Sequence, residues 1–214
     1  MKESINIVWI KRDLRTQDHA SFDAAEKNHL PYIPIYIFEP SILSHPDSSL
    51  RHQQFIFSSI EQVNLQLTKY NKSITIFYGE AGSIFEFLLS KFNIANIFSY
   101  QETGIQKTWD RDKRVSSLFK AKQIKWIEFQ RDGVVRGITN RKGWDKQWYN
   151  SMYKKPIQNE FKPCKGISIE HPYSLPNSML KELKSYPNAF QKAGESYAWK
   201  YLESFCEDRG KMYS

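Results

Sequence analysis

Five short apolar runs, each but the last followed by a stretch of helical periodicity, dominate the first 130 residues. Ile5-Asn6-Ile7-Val8-Trp9-Ile10, Tyr32 to Phe38, Ser73 to Tyr78, Ala95 to Tyr100 and Lys125 to Phe129 are strand-length, rich in Ile, and without clean alternation. Strands covered on both faces have that character. Pro34 sits inside the second run, where its missing N–H must be accommodated. Helical spacing fills the intervals at residues 21–28, 51–69, 83–92 and 107–122. In the second interval Phe55, Ile56, Ile60, Val63 and Leu67 form one face; in the fourth, Val115, Leu118 and Phe119 do. Ser83 offers an N-cap for the third. The pattern predicts an α/β class fold: a doubly wound, five-stranded parallel sheet, Rossmann-like, with right-handed crossovers and strand order 3-2-1-4-5.

Periodicity fades after about residue 131. Residues 154–190 carry Pro156, Pro163, Pro172, Pro176 and Pro187 with few apolar runs, which reads as an extended interdomain linker. A single amphipathic helix returns at residues 194–205, shortly before the sequence ends. The expected organisation is an α/β domain over residues 1–135, a linker over 136–192, and the start of a truncated helical domain over 193–214.

Composition excludes some classes. The 214 residues are 40% hydrophobic and 25% charged, ordinary for a soluble globular protein. No apolar run approaches the roughly 20 residues of a membrane span. The N-terminus lacks a secretory pattern, and Cys164 and Cys206 have neither metal-ligand spacing nor a C-x-x-C. A reducing, cytoplasmic location is expected. The net charge of +8 is unevenly placed: residues 1–106 hold 9 basic and 11 acidic side chains, residues 107–214 hold 22 and 12. A polyanion partner for the second half and a plain solvated basic face both fit that asymmetry. Trp109, Trp126, Trp144, Trp148, Tyr149 and Tyr153 lie among those cations, a mix that suits nucleic acid and equally suits buried rings.

A sheet of order 3-2-1-4-5 opens a crevice between strands 1 and 4, beyond their carboxyl ends. Lys11-Arg12-Asp13-Leu14-Arg15 and Gln101-Glu102-Thr103-Gly104 flank it, with Glu39-Pro40-Ser41 beside them. The first loop contains no glycine, so the tight turn that brings backbone to a pyrophosphate is missing, and a dinucleotide site here is improbable. Its cations and carboxylate either grip a ligand by charge-assisted hydrogen bonds or fix the loop through an internal ion-pair network. Arg111 and Asp112, in the following helix, are placed to join that network. Gly79-Glu80-Ala81-Gly82 reads as a strand–helix turn, and His45 and His52 as surface histidines. No catalytic triad, zinc or P-loop pattern is present. From these residues alone, a stand-alone nucleotide-binding module stays open.

The first loop also carries a resemblance. Trp9-Ile10-Lys11-Arg12-Asp13-Leu14-Arg15, with Asp18 following, resembles the opening signature of DNA photolyases and cryptochromes. Phe38-Glu39-Pro40, Gln101 to Gly104, Trp109 to Val115, Phe129 to Arg136 and Arg141 to Trp148 extend the likeness in order, the later ones toward a bacterial branch. Ala193-Gly194-Glu195 resembles the Gly-Gly-Glu helix that opens that family's flavin domain, with alanine replacing the first glycine. Lys11 stands where an aromatic or arginine is common.

The resemblance implies a light-harvesting domain that holds an antenna chromophore of folate or deazaflavin type. It also implies a helical domain that binds FAD and cradles damaged DNA. In such an enzyme, a carbon–carbon lyase, reduced flavin donates an electron to a cyclobutane pyrimidine dimer, which splits and returns it. A blue-light-sensing cryptochrome without catalysis shares the fold. The residues implied as antenna contacts are Arg12, Asp13, Phe38, Glu102 and Gly104, with Tyr213 near the flavin phosphates. Lys142 and Lys146, in the basic second half, are candidates to steer DNA. Neither an obligate protein partner nor a membrane partner is expected, and this chain alone is expected to be inactive.

Overall fold

The computed structural model describes residues 2–213. Its elements run β1 (Ser4–Ile10), α1 (Ala20–Lys27), β2 (Tyr32–Phe38), α2 (Pro40–Leu43), α3 (Leu50–Leu67), β3 (Thr75–Tyr78), α4 (Ala81–Lys91), β4 (Asn93–Tyr100), α5 (Gln106–Ala121), β5 (Lys125–Phe129), α6 (Trp144–Met152), α7 (Asn177–Leu183) and α8 (Glu195–Glu207). The five strands form one parallel sheet of order β3-β2-β1-β4-β5. β1 is therefore central and almost wholly buried, which is why its sequence does not alternate polar and apolar positions. Pro34 pairs with Val8 of β1, while the ladder to β3 begins one residue later at Ile35. The proline's missing donor thus falls where that ladder has not started.

Alternate side chains of each strand feed two cores. Ile5, Ile7, Trp9, Ile33, Ile35 and Ile97 face α4 and α5, where Phe85, Leu88, Val115 and Phe119 meet them. Val8, Ile10, Tyr36, Phe38 and Phe98 face α1 and α3, with Phe22, Ile60, Val63 and Leu67. On α3 the fully covered ring is Phe57; Phe55, expected in the core, is only half-buried. α4 starts three residues earlier than an N-cap at Ser83 would put it. Glu80 is its cap residue, and the Ala81 N–H donates to Glu39 Oε2 at 3.2 Å, so a side chain from β2's end does the work of a local cap.

The segment read as an extended linker hugs the α/β layers and contains two short helices. Asp18 and Ile157 exchange hydrogen bonds of 2.9 and 3.0 Å, and Asn159 brackets the His19 backbone from both sides at 2.8 and 2.9 Å. α7 packs on α3 through the fully buried Leu183. α8 returns to the domain at Gly194 (φ 106°), where a Cβ would sit 2.7 Å from Gln62 Cγ. Only glycine fits that approach. No described helix is long and apolar enough to cross a membrane.

Phe85 is fully buried and meets Trp9 and Phe119 edge-on at ring separations of 5.0 and 4.7 Å. Phe85→Ala is expected to cost about 3–5 kcal/mol, read from urea unfolding at unchanged m. A loss under about 1 kcal/mol would contradict this packing.

Candidate functional site

α1 leaves the end of β1 onto one face of the sheet, while α5 leaves the end of β4 onto the other. The two exits part at the strand ends and open a crevice between them. Residues 11–15 form one wall and residues 102–105 the other. Phe38 and Glu39, at the end of β2, close its back.

Arg111, reaching in from α5, is the hub of the floor. Its Nη1 donates to Glu39 Oε1 at 2.6 Å, its Nε to Asp112 Oδ1 at 2.9 Å, and its Nη2 lies 3.4 Å from Glu102 Oε2. The second oxygen of Asp112 accepts from Lys11 Nζ at 2.9 Å. Glu102 Oε1 accepts the Gly104 N–H at 2.8 Å and faces Arg12 Nε at 3.2 Å. Three cations, Lys11, Arg12 and Arg111, thus meet three carboxylates, Glu39, Glu102 and Asp112, and the cluster carries no net charge. Lys11 Nζ and the Arg111 guanidinium also lie 4.4 and 4.8 Å from the centroid of Trp9. Burial pushes the Lys11 ammonium below its ordinary value against the pull of Asp112. Burial likewise raises the Glu39 carboxyl in spite of Arg111.

The ion-pair reading of the first loop therefore describes most of its charges. Arg15 turns back to Asp18, donating to its carbonyl at 2.6 Å. Arg12 is the exception, with about half of its side chain (52%) exposed in the crevice. Gly104 lies opposite. A Cβ there would collide with the Arg12 guanidinium and sit 2.7 Å from Glu102 Oε1, so glycine is what lets these groups meet. Arg12, Phe38, Glu102 and Gly104 all line the cleft.

Asp13 does not line it. Its carboxylate is buried behind the wall, where Oδ1 accepts the N–H groups of Lys11 and Arg12, both at 3.1 Å, and Oδ2 lies 2.8 Å from His19 Nε2. The Phe22 N–H needs the lone pair of His19 Nδ1 (3.2 Å), which places the ring proton on Nε2, facing Asp13. Burial alone would raise the Asp13 carboxyl. The contact with His19 and the N–H of Lys11 outweigh it and hold Asp13 below the ordinary carboxylate value. Asp13 thus braces the backbone of the loop that carries Arg12 and lies outside the cleft lining where a direct contact was expected.

Tyr213 is exposed beside Phe205 and lies outside the cleft, and Lys142 and Lys146 are exposed around the start of α6. The structure adds three residues not singled out as site residues. Trp9 and Arg111 lie in the cleft lining. Glu195 accepts from Thr16 N and Oγ1, each at 2.8 Å, and from Gln17 N at 3.1 Å, which ties α8 to the β1–α1 loop. Its signal in the sequence was the Ala-Gly-Glu motif. The cleft continues from the crevice between α3 and α8 to about 1220 Å³ in all, with Ile56, Ala198 and Leu202 on its apolar side.

The model of the DNA photolyase family matches residues 6–162, which span both walls of the crevice. The chain belongs to the DNA photolyase family. Cryptochrome-2 of Gallus gallus is 23% identical over 116 residues, 54% of this chain and 20% of the relative. Among solved structures, the photolyase of Sulfolobus tokodaii, described with two FAD molecules and a novel light-harvesting cofactor, matches at TM-score 0.70 and 17% identity, covering 93% of this chain and 45% of that one. A Synechocystis cryptochrome (TM-score 0.72, 14% identity) covers 97% and 47%. A class III photolyase of Agrobacterium tumefaciens (0.71, 19%) covers 96% and 45%. At these identities the structural matches show the fold, and the chain spans less than half the length of each.

The depressed Asp13 pKa fixes a sign. The carboxylate stabilises the fold fully above the unfolded value of about 4, and that contribution fades as pH falls through the lower folded value. Glu39 and Glu128, both raised by burial, act in the opposite direction. The difference in unfolding free energy between the wild type and Asp13→Asn is therefore expected to shrink from pH 6 towards about pH 2. A difference independent of pH would contradict the assignment.

Proposed function

We propose that this chain is the light-gathering half of a blue-light-dependent deoxyribodipyrimidine photolyase, and that its crevice seats the antenna chromophore. The observation that carries this reading is the crevice itself. It lies at the switch point of the sheet, lacks a glycine cradle for phosphates, and joins an apolar cleft of about 1220 Å³ to one half-exposed guanidinium. That is room for a fused ring system, with a donor for one carbonyl or carboxylate at its rim. The residues fit a folate or deazaflavin, and the two FAD molecules of the Sulfolobus tokodaii relative add flavin to the eligible classes. When bound, such a group absorbs blue light and passes the excitation on. The protein's part is to fix its position. Phe38 closes the back, Gly104 admits the ligand edge, Arg12 anchors its polar end, and Asp13 and Arg111 hold those walls still.

FAD and the lesion pocket are assigned to the remaining half of the protein, with Tyr213 as this chain's contribution near the flavin. Damaged DNA is the proposed partner, steered by Lys142 and Lys146, and the cytoplasm the proposed location. The likeness to two cryptochromes supports a second reading, a light sensor without catalysis. Repair of a thymine dimer by the full-length protein under blue light separates the two. Cleavage of the dimer is expected, and its absence with flavin bound would select the sensor.

Losing a charge-assisted hydrogen bond of about 1.5–3 kcal/mol should weaken chromophore binding roughly 10- to 150-fold. Arg12→Ala and Gly104→Ala in the full-length protein are expected to lower the antenna-to-flavin absorbance ratio after purification. An unchanged ratio in both would exclude this crevice as the antenna site.

A further inference from the structure

The charges of residues 141–155 follow a different rule from those of the crevice. Residues 141–155 hold five cations, Arg141, Lys142, Lys146, Lys154 and Lys155, and one carboxylate, Asp145. All five cations are exposed, and none has a carboxylate within ion-pair distance among the described residues. A net charge of +4 (five minus one) is thus left open to solvent on one short segment, whereas the crevice floor cancels its own.

The same segment exposes its aromatic rings. Trp144, Trp148, Tyr149 and Tyr153 are 41%, 36%, 51% and 81% exposed, and α6 has no buried residue. The rings form one continuous ladder. Trp144 and Trp148 stack at 6.5 Å and 30°, Trp148 meets Tyr149 edge-on at 5.2 Å, and Tyr149 and Tyr153 stack at 5.8 Å and 17°. The inner edge of the helix rests on the Gly133 turn, where a Cβ would press Met152 Cε at 3.1 Å and Trp148 Cδ1 at 3.2 Å. Trp148 touches that turn by one edge and is the least exposed of the four rings.

We propose that α6 is a docking platform for single-stranded nucleic acid, with bases stacking on the ring ladder and phosphates meeting the unpaired cations around it. Rings alone would suit an apolar partner, and cations alone any polyanion. Their combination suits a ligand that offers π-faces and phosphates in alternation. A duplex keeps its base faces stacked inside, so the ladder selects the single strand. This deepens the steering role given to Lys142 and Lys146 by adding a base contact, and it is independent of the crevice.

The test is fluorescence anisotropy of an end-labelled oligothymidylate of about 12 nucleotides titrated with the 214-residue chain, against a duplex of equal length. The single strand is expected to bind more tightly than the duplex. Trp144→Ala and Tyr153→Ala are each expected to weaken it about 5- to 150-fold, the range for a lost base stack, while Tyr153→Phe, which keeps the ring, retains affinity. Lys142→Gln with Lys146→Gln should reduce the slope of log K against log salt by about 1.4. Full affinity in both ring variants beside a loss in the lysine variant would overturn the stacking platform and leave the steering reading standing. An unchanged salt slope beside lost affinity in the ring variants would overturn both the phosphate contacts proposed here and the steering role. No binding of the single strand, or preference for the duplex, would overturn the platform.

Discussion

The Arg111 guanidinium is the constraint on which the mouth of this sheet depends. It meets carboxylates from the end of β2, from the β4–α5 loop and from its own helix, and so ties three separate segments at one buried point. Each carboxylate has a further partner: Glu39 the start of α4, Glu102 the Gly104 N–H, Asp112 the Lys11 ammonium. Buried ion pairs of this kind are poor sources of net stability, because desolvation offsets their attraction. What they supply is position, since a displaced partner leaves a charge unpaired in a dry site. The proposed task of the crevice, holding a chromophore at fixed distance and angle, needs that stiffness more than it needs reactive groups.

Charge is accordingly divided between two surfaces. The floor of the crevice is neutral, and of its cations only Arg12 keeps substantial exposure. Affinity there would come from ring contacts and one directed hydrogen bond, with little long-range attraction. The segment around α6 is the reverse, with its cations unpaired and its rings open. The two proposed ligands, a pigment and a polynucleotide, would therefore have separate addresses on one chain, distinguished by whether the local charges are cancelled.

The sheet order and the crevice were legible because strands and helices alternate over long, strongly patterned stretches, and the two crevice loops follow from the topology. The partners of each charge were not legible. Lys11 and Asp112 are 101 residues apart, and spacing cannot say which carboxylate a cation will find. Asp13 and Arg12 are neighbours in sequence, yet one is buried behind the wall and the other faces the cleft. α7 escaped notice because seven residues after Pro176 give too little periodicity, and Leu183 is its one fully buried residue. α6 escaped for another reason. Trp144, Trp148 and Met152 recur at helical spacing, but the stretch lies where the surrounding pattern fades and was read with the linker.

The most direct test of the hub is a double-mutant cycle on Arg111 and Glu39, read as unfolding free energy. Arg111→Met alone leaves the buried Glu39 carboxylate without a cation and should cost about 3–5 kcal/mol. Adding Glu39→Met should return part of that loss, because the removed charge no longer needs a partner. A cost below about 1 kcal/mol for Arg111→Met, or strictly additive effects of the two substitutions, would contradict the account.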